Sequence, residues 1–278
     1  MVSESDMQRA QARAKTSIVH APTYTLQMNS LFKTLFAGLG LWSAVQPVQA
    51  AQAHVAVAAN FAEPLKAVAA VLEKTTGHTL AITVGSTGKL YAQIKNGAPF
   101  DVLLSADRAT PELLEKEGLA ASGSRFTYAT GKLVVWSADA KRVDADGKVL
   151  GLPQLGKVAY ANPKLAPYGA AAVEVMDKLS LTTALTPKLV QGESIGQTYT
   201  FAYSGNADVG FVALSQVLEG GKLKSGSMWI VPQHLYAPIR QDAVILQSAA
   251  NNEAALALMK LLKSPNIKDL IRSYGYAL

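Results

Sequence analysis

Short β-branched segments alternate with amphipathic segments along most of this chain, and this alternation constrains its fold more than any other feature. The apolar runs HVAVAA, TLAITVG and FDVLLSA each precede a stretch in which apolar residues recur at helical spacing. In the stretch 60–76, for example, Leu65, Val68 and Leu72 fall on one helical face. Strands that alternate with helices of this length are typical of a parallel sheet covered by helices. The sequence therefore predicts a doubly wound α/β fold.

The alternating pattern occurs twice, and we predict two α/β lobes from it. A second set of strands begins with KLVVWSA and ends with ADVGFVA, and two helical stretches close the chain. The chain is expected to cross between the lobes near residues 128–132 and to return near residues 235–240, which gives a two-strand hinge. Lobe I then comprises residues 54–131 and 238–278, and lobe II comprises residues 132–237. One large open sheet is the alternative that the pattern leaves open.

The first 50 residues have the pattern of a secretory signal. The stretch from Met28 to Ala50 has a basic residue, an apolar run too short to span a membrane, a proline and a small-residue ending. Residues 1–27 are polar and patternless, so Met28 is a candidate start. We expect cleavage after Ala50 or after Ala53, and a soluble protein in the periplasm.

Composition argues against several kinds of chemistry. The chain contains no cysteine, which excludes disulfides, a lipoprotein anchor, a thiol nucleophile and a cysteine zinc site. Its four histidines are scattered, and no GxSxG motif occurs. The formal net charge of +6 is spread along the chain, so no basic stripe for nucleic acid is expected. Asp101 and Asp107 are expected to cap turns and not to form an acid–base pair. We therefore predict no catalytic residue.

The most informative residues lie at four predicted strand-to-helix turns, two in each lobe. These turns contain AANFAEP, GSTGK, NPKLAPYG and GESIGQ. GSTGK lacks the glycine spacing of a phosphate-binding P-loop and the Ser or Thr after its lysine, Lys89, which we expect on a solvated helix face. A helix start still offers free N–H groups and a positive dipole end to an anion. Because ligands of open α/β sheets bind at the carboxyl ends of strands, the four turns predict one anion site between the lobes.

Each turn also has a simpler explanation as an ordinary helix cap. Asn60 is a candidate N-cap with Glu63 as its capping-box partner, and Ser194 is a candidate N-cap in GESIGQ. The hydroxyls of Ser86 and Thr87 and the amide of Asn60 are neutral donors. A site of neutral donors suits a fully ionised oxyanion, which carries acceptors and no proton.

Several of these segments resemble one known family. VAVAANFAEPL, GSTGKLYAQIKNGAPFDVLLSAD, SRFTYATGKLVVWSA, ANPKLAPYGAAA, GESIGQ and ADVGFVALSQV are similar to the periplasmic molybdate-binding component of molybdate ABC importers, over residues 54–278. The resemblance implies a type II periplasmic binding protein fold that closes on molybdate or tungstate and passes it to a membrane permease. It also implies a monomer, with no cofactor beyond the ligand and with molybdenum present only as the oxyanion.

The resemblance also implies which residues contact the anion. By position these are Ala59, Asn60, Ser86, Thr87, Tyr168 and Ile195. Some members add a Tyr hydroxyl where this chain has Ala213, and Tyr168 is hypothesised to supply that missing donor. The alternative function is an exported enzyme on the same fold that acts on a phosphorylated or carboxylated small molecule. That function needs a titratable group at one of the four turns.

Overall fold

The computed structural model describes residues 50–278, so the predicted signal region lies, except for Ala50, outside the described residues. Twelve strands and nine α-helices are present in the described part. The strands are β1 (Gln52–Ala58), β2 (Thr79–Gly85), β3 (Val102–Leu104), β4 (Phe126–Gly131), β5 (Leu133–Ser137), β6 (Val158–Ala161), β7 (Leu189–Gly192), β8 (Val209–Ala213), β9 (Leu218–Glu219), β10 (Lys222–Leu223), β11 (Ser227–Ile230) and β12 (Ile239–Ile245). The helices are α1 (Ala62–Thr76), α2 (Thr87–Lys95), α3 (Ala109–Lys116), α4 (Pro167–Lys178), α5 (Thr182–Leu185), α6 (Ile195–Tyr203), α7 (Leu214–Val217), α8 (Glu253–Leu262) and α9 (Pro265–Ser273).

Two separate five-stranded sheets form the centres of two lobes. The sheet of lobe I has the strand order β2-β1-β3-β12-β4, and the sheet of lobe II has the order β11-β5-β8-β6-β7. The predicted alternative of one large open sheet is therefore wrong. A short antiparallel pair, β9 with β10, lies outside both sheets.

Both sheets are mixed, which corrects the expectation of parallel sheets. β1 pairs in parallel with β2 and β3, but β12 runs antiparallel to β3 and β4. In lobe II, β6 is parallel to β7 and β8, but β5 is antiparallel to β8 and β11. The antiparallel strands are those next to the crossings. β4 leaves lobe I where β12 enters it, and β5 enters lobe II where β11 leaves it, so each pair runs in opposite directions.

The lobes are joined by two neighbouring chain segments. Lys132 alone separates β4 from β5, and residues 231–238 separate β11 from β12. Gly131 pairs with Ile239, which places the two crossings side by side. The chain passes from one sheet to the other at these two segments. The exact lobe boundaries stay a prediction.

Helices cover both faces of each sheet, as the alternating pattern predicts. On one face of the sheet of lobe I, Leu65 and Leu72 of α1 pack with Leu258 of α8 and Ile271 of α9. The last two helices thus complete lobe I, as predicted. On the other face, α2 and α3 contribute apolar side chains such as Leu90. Burial of each such side chain stabilises the fold by about 1.5–3 kcal/mol, so the helices hold the strand ends in fixed positions.

Candidate functional site

A small cavity lies between the lobes, at the carboxyl ends of β1 and β2 and the first turns of α2, α4 and α6. Its cavity volume is only about 10 Å³. This is far less than the roughly 300–1,000 Å³ of pockets for drug-sized ligands, so only a small ligand fits there. Its lining residues are all uncharged: Ala58, Ala59, Asn60, Gly85, Ser86, Thr87, Ala106, Ala166, Pro167, Tyr168 and Ile195. All six residues implied by the family resemblance belong to this lining. Of the other five, Ala106 alone lies outside the four turn motifs that the sequence indicated.

Asn60 lies in a 3-10 turn, Ala59–Phe61, between β1 and α1. It does not cap α1, contrary to the prediction, because Phe61 occupies the N-cap position. Its buried amide instead finds buried partners: Nδ2 donates to Gln241 Oε1 at 2.8 Å and to the Tyr276 hydroxyl at 3.0 Å. The predicted capping box is also wrong, since Glu63 is exposed and pairs with a lysine of its own helix. The amide of Asn60 is held in place by the lobe interior.

Ser86 and Thr87 form the turn from β2 into α2. Ser86 occupies the N-cap position, but its side chain makes no capping hydrogen bond. Thr87 Oγ1 accepts a hydrogen bond from the Ala106 N–H at 3.1 Å, which leaves the proton of the Thr87 hydroxyl free for another acceptor.

Two buried polar atoms at the cavity have no hydrogen-bond partner. Within residues 50–278, Ser86 Oγ and Asn60 Oδ1 are the buried side-chain nitrogen or oxygen atoms in this condition. An unsatisfied buried polar atom costs about 1–3 kcal/mol, so native proteins rarely retain one without a reason. Both residues line the same cavity, which indicates a polar ligand there. The Ser86 hydroxyl can donate to that ligand, whereas Asn60 Oδ1 can only accept, because Asn60 Nδ2 already donates to Gln241 and Tyr276.

Lobe II contributes two helix starts to the cavity. Tyr168 lies in the first turn of α4, and Ile195 is the first residue of α6. First-turn N–H groups have no acceptor within their own helix, and the helix dipole makes these positions favourable for an anion. The predicted N-cap Ser194 is confirmed, because its Oγ accepts from the Gln197 N–H at 3.2 Å. Burial raises the pKa of the Tyr168 hydroxyl well above its ordinary value, so this hydroxyl stays protonated and able to donate.

Charged groups lie around the cavity but not in it. Lys89 Nζ pairs with Glu193 Oε2 at 2.9 Å, and both side chains are about half exposed. This confirms the predicted solvated position of Lys89 and shows that its partner belongs to the other lobe. Ala213 is outside the cavity lining, and its N–H donates to Gln216 Oε1 at 2.9 Å.

A buried hydrogen-bond network behind the cavity was not predicted. It connects Asn60 to four residues far away in sequence: Tyr128, Ser215, Gln241 and Tyr276. The Tyr276 hydroxyl and Ser215 Oγ each donate to the Asn60 carbonyl oxygen at 2.8 Å, and Ser215 reaches it from lobe II. The only sequence signal was the polar pair QD inside the apolar run of β12.

Other chemistry finds little support in the described residues. Residues 50–278 contain no cluster of three potential metal-ligating side chains. Asp107 accepts from the Thr110 N–H at 2.8 Å, as a turn-capping group does. Asp101 does not cap a turn, contrary to the prediction, because it accepts from the N–H of His54 in β1 at 2.7 Å. No helix in this range is long and apolar enough to cross a bilayer.

Two α/β lobes that enclose a small neutral cavity define the class of periplasmic binding proteins. The model of one family in this class, the bacterial extracellular solute-binding proteins, matches residues 53–277. The chain belongs to this family.

Relatives of known name are closely similar to this chain. The molybdate-binding protein ModA of Azotobacter vinelandii is 53% identical over 251 residues, which are 90% of this chain and 100% of the relative. ModA of Rhodobacter capsulatus is 52% identical over 91% of this chain and 96% of the relative. The solved periplasmic molybdate-binding protein of Azotobacter vinelandii matches with a TM-score of 0.78 at 43% identity, over 81% of this chain and 99% of that chain. The sulfate-binding protein SubI of Mycobacterium tuberculosis shares the fold alone, with a TM-score of 0.66 at 14% identity over 81% of this chain and 86% of that chain.

Proposed function

We propose that this protein binds molybdate in the interlobe cavity and delivers it to the permease of an ABC importer. The observation that carries the proposal is the lining of the cavity, which is uncharged and contains the unpartnered Ser86 hydroxyl. Two relatives above 50% identity are named as molybdate-binding proteins, which supports molybdate as the ligand.

The proposed contacts are neutral donors from both lobes. Lobe I supplies backbone N–H groups of the turn at Ala59 and Asn60 and the hydroxyls of Ser86 and Thr87, and lobe II supplies Tyr168 and the backbone N–H of Ile195. The side-chain amide of Asn60, expected as a donor, is not among these contacts, because its Nδ2 already donates to Gln241 and Tyr276. Helix starts from opposing lobes place partial positive charge around a dianion without a lysine or arginine. A dianion that needs donors from both lobes favours the closed arrangement, because only that arrangement provides all of them.

Cavity size, and not charge, is proposed to select the anion. Sulfate has the same shape and charge as molybdate but is smaller, and tungstate matches molybdate in both shape and size. We therefore expect titration calorimetry and thermal shift to detect molybdate and tungstate, and to detect sulfate and phosphate weakly or not at all. A protein that responds equally to all four anions, or to none, contradicts the proposal.

The enzyme alternative has no group to perform catalysis in this cavity. Tyr168 is the only titratable residue in the lining, and its raised pKa keeps it from acting as a base near neutral pH. We propose that the chain uses no resident cofactor and works as a monomer.

We also propose that the chain is exported and that its signal is cut after Ala50. β1 begins at Gln52, which pairs with Thr79, and Ala53 is fully buried. A cut after Ala53 would remove two residues of this strand. Intact-mass measurement of the protein recovered from the periplasm tests this, and a mature chain that begins after Ala53 contradicts it.

A further inference from the structure

Gln241 connects the two walls of the cavity, although it does not line the cavity itself. It is fully buried in β12, two residues after that strand begins at the crossing. Its Oε1 accepts from Asn60 Nδ2 at 2.8 Å and lies 3.0 Å from the Tyr128 hydroxyl. Its Nε2 donates to the Tyr168 hydroxyl at 3.1 Å. A single side chain therefore contacts one cavity residue of lobe I and one of lobe II.

We propose that Gln241 is a positioning residue for the oxyanion: it fixes the amide of Asn60 and orients the proton of the Tyr168 hydroxyl toward the cavity. This inference rests on the proposed molybdate site and adds a residue that the family resemblance did not indicate.

The polarity of the Gln241 amide is the physical basis of this role. A tyrosine hydroxyl carries one proton and can also accept hydrogen bonds. Because Gln241 Nε2 donates to the oxygen of Tyr168, the proton of that hydroxyl is left for another acceptor, either the neighbouring Tyr276 hydroxyl or an oxyanion. An oxyanion in the cavity offers only acceptors. A carboxylate at position 241 would instead accept the Tyr168 proton and turn this donor away from the anion.

The residues around Gln241 separate its hydrogen bonds from the other contacts near the hinge. Gly131 has no side chain, and a Cβ there would lie 2.6 Å from Gln241 Nε2 and would also clash with the Tyr168 hydroxyl. The next residue along β12, Asp242, points to the opposite face of the strand. There it pairs with Arg125 at 2.8 Å and accepts from Thr127 Oγ1 at 2.6 Å.

Two substitutions separate polarity from shape. Gln241→Glu keeps the shape of the side chain but can only accept when ionised, whereas Gln241→Leu loses all hydrogen bonds and carries no charge. At about pH 9, where the carboxyl is ionised, we expect titration calorimetry to give weaker molybdate binding in the order wild type, Leu, Glu. The expected loss for Leu is about 10- to 100-fold, as for other residues that orient ligand-binding groups, and the loss for Glu is larger.

The pH profile gives a readout that a purely structural role would not change. Protonation of the introduced carboxylate in the Gln241→Glu variant restores a donor, so the affinity of this variant should approach that of the wild type as the pH falls toward about 6.5. The wild type should show no such recovery. A Gln241→Glu variant that binds more tightly than Gln241→Leu at pH 9, or whose affinity relative to the wild type does not change with pH, overturns the proposal.

Thr127→Val serves as the control, because Thr127 of β4 bonds to Asp242 on the face of β12 opposite to Gln241. It removes the hydrogen bond to Asp242, so it should lower the melting temperature and leave the molybdate affinity unchanged.

Wild-type protein measured in the same series separates the two proposals. If the wild type binds molybdate and both Gln241 variants match it, the positioning role alone fails. If the wild type does not bind molybdate, the proposed function fails.

Discussion

Ser86 shows how a residue can be unfavourable for folding and favourable for binding. Its hydroxyl is buried without a partner at the N-cap position of α2, where a serine normally bonds to a backbone N–H. In the folded protein without ligand this group contributes a desolvation cost. With an oxyanion in the cavity, the same hydroxyl becomes a donor to a charged acceptor.

Ser86→Ala should therefore have opposite effects on stability and on affinity. We expect the free energy of unfolding of the ligand-free protein to stay the same or to rise by up to about 1 kcal/mol, because an unsatisfied group is removed. Molybdate binding should weaken by about 1.5–3 kcal/mol, the usual contribution of a hydrogen bond to a charged group. Denaturant unfolding and titration calorimetry measure the two quantities.

Ser227→Ala is the matched control for a buried serine that has partners. Ser227 Oγ accepts from the Val143 N–H at 2.9 Å and donates to the Asp139 carbonyl oxygen at 2.6 Å, away from the cavity. Its loss should destabilise the protein and leave the affinity unchanged. If Ser86→Ala instead behaves like this control, the Ser86 hydroxyl does not contact the ligand.

Local patterns predicted the positions of the cavity residues but not how they are held. The motifs around Asn60, Thr87 and Ile195 lie at predicted helix starts, so the strand-to-helix pattern was sufficient to find these turns, and the family resemblance implied the contact residues within them. The role of Asn60 as an N-cap was predicted wrongly because a 3-10 turn precedes α1 and Phe61 takes that position. Its partners Tyr276 and Gln241 were missed because they lie 216 and 181 residues away in sequence.

At the scale of elements, the three helix starts at the cavity differ in how they are capped. α6 has the side-chain cap from Ser194, whereas α2 and α4 have none. The cap fixes the turn at Ile195, which lines the cavity and whose N–H is a proposed contact of the anion. It therefore connects the stability of one helix to the geometry of the site.

Ser194→Ala and Asn252→Ala compare the same loss at two helices. Asn252 caps α8 through its Oδ1, which accepts from the Ala255 N–H at 3.0 Å, and α8 lies away from the cavity. Each substitution should lower the free energy of unfolding by about 1 kcal/mol. Only Ser194→Ala should also weaken molybdate binding, since only its helix start lines the cavity. Equal affinities for the two variants would contradict a role for the start of α6.

Element prediction succeeded where a segment is long and strongly patterned. The β-branched run TLAITVG predicts β2 with its exact bounds, and the period of α1 gives its end at Thr76. β7 and β11 were not predicted, because their apolar runs, 189–190 and 228–230, are short. Strand direction was also wrong near the crossings. Direction depends on where the chain re-enters a lobe, and no local pattern contains that information.

At the scale of the whole molecule, one ion pair connects the two lobes among residues 50–278. Lys89 of α2 and Glu193 before α6 form an ion pair across the mouth of the cleft, and Gly88 N–H donates to the Leu165 carbonyl oxygen at 2.9 Å beside it. Both contacts connect the two lobes. An exposed ion pair contributes little, so it should adjust closure without determining it.

The Lys89–Glu193 pair can be tested by exchanging its charges. Lys89→Glu places two carboxylates in contact across the cleft and should weaken molybdate binding by about fivefold at low salt, with the difference shrinking as salt screens the repulsion. The double variant Lys89→Glu, Glu193→Lys restores an attractive pair and should bind within about twofold of the wild type. Lys95→Glu controls for net charge, because it changes the same helix but breaks a pair with Glu117 inside lobe I, 3.0 Å long. If Lys95→Glu weakens binding as much as Lys89→Glu, long-range charge explains the loss, and the interlobe pair does not contribute to closure.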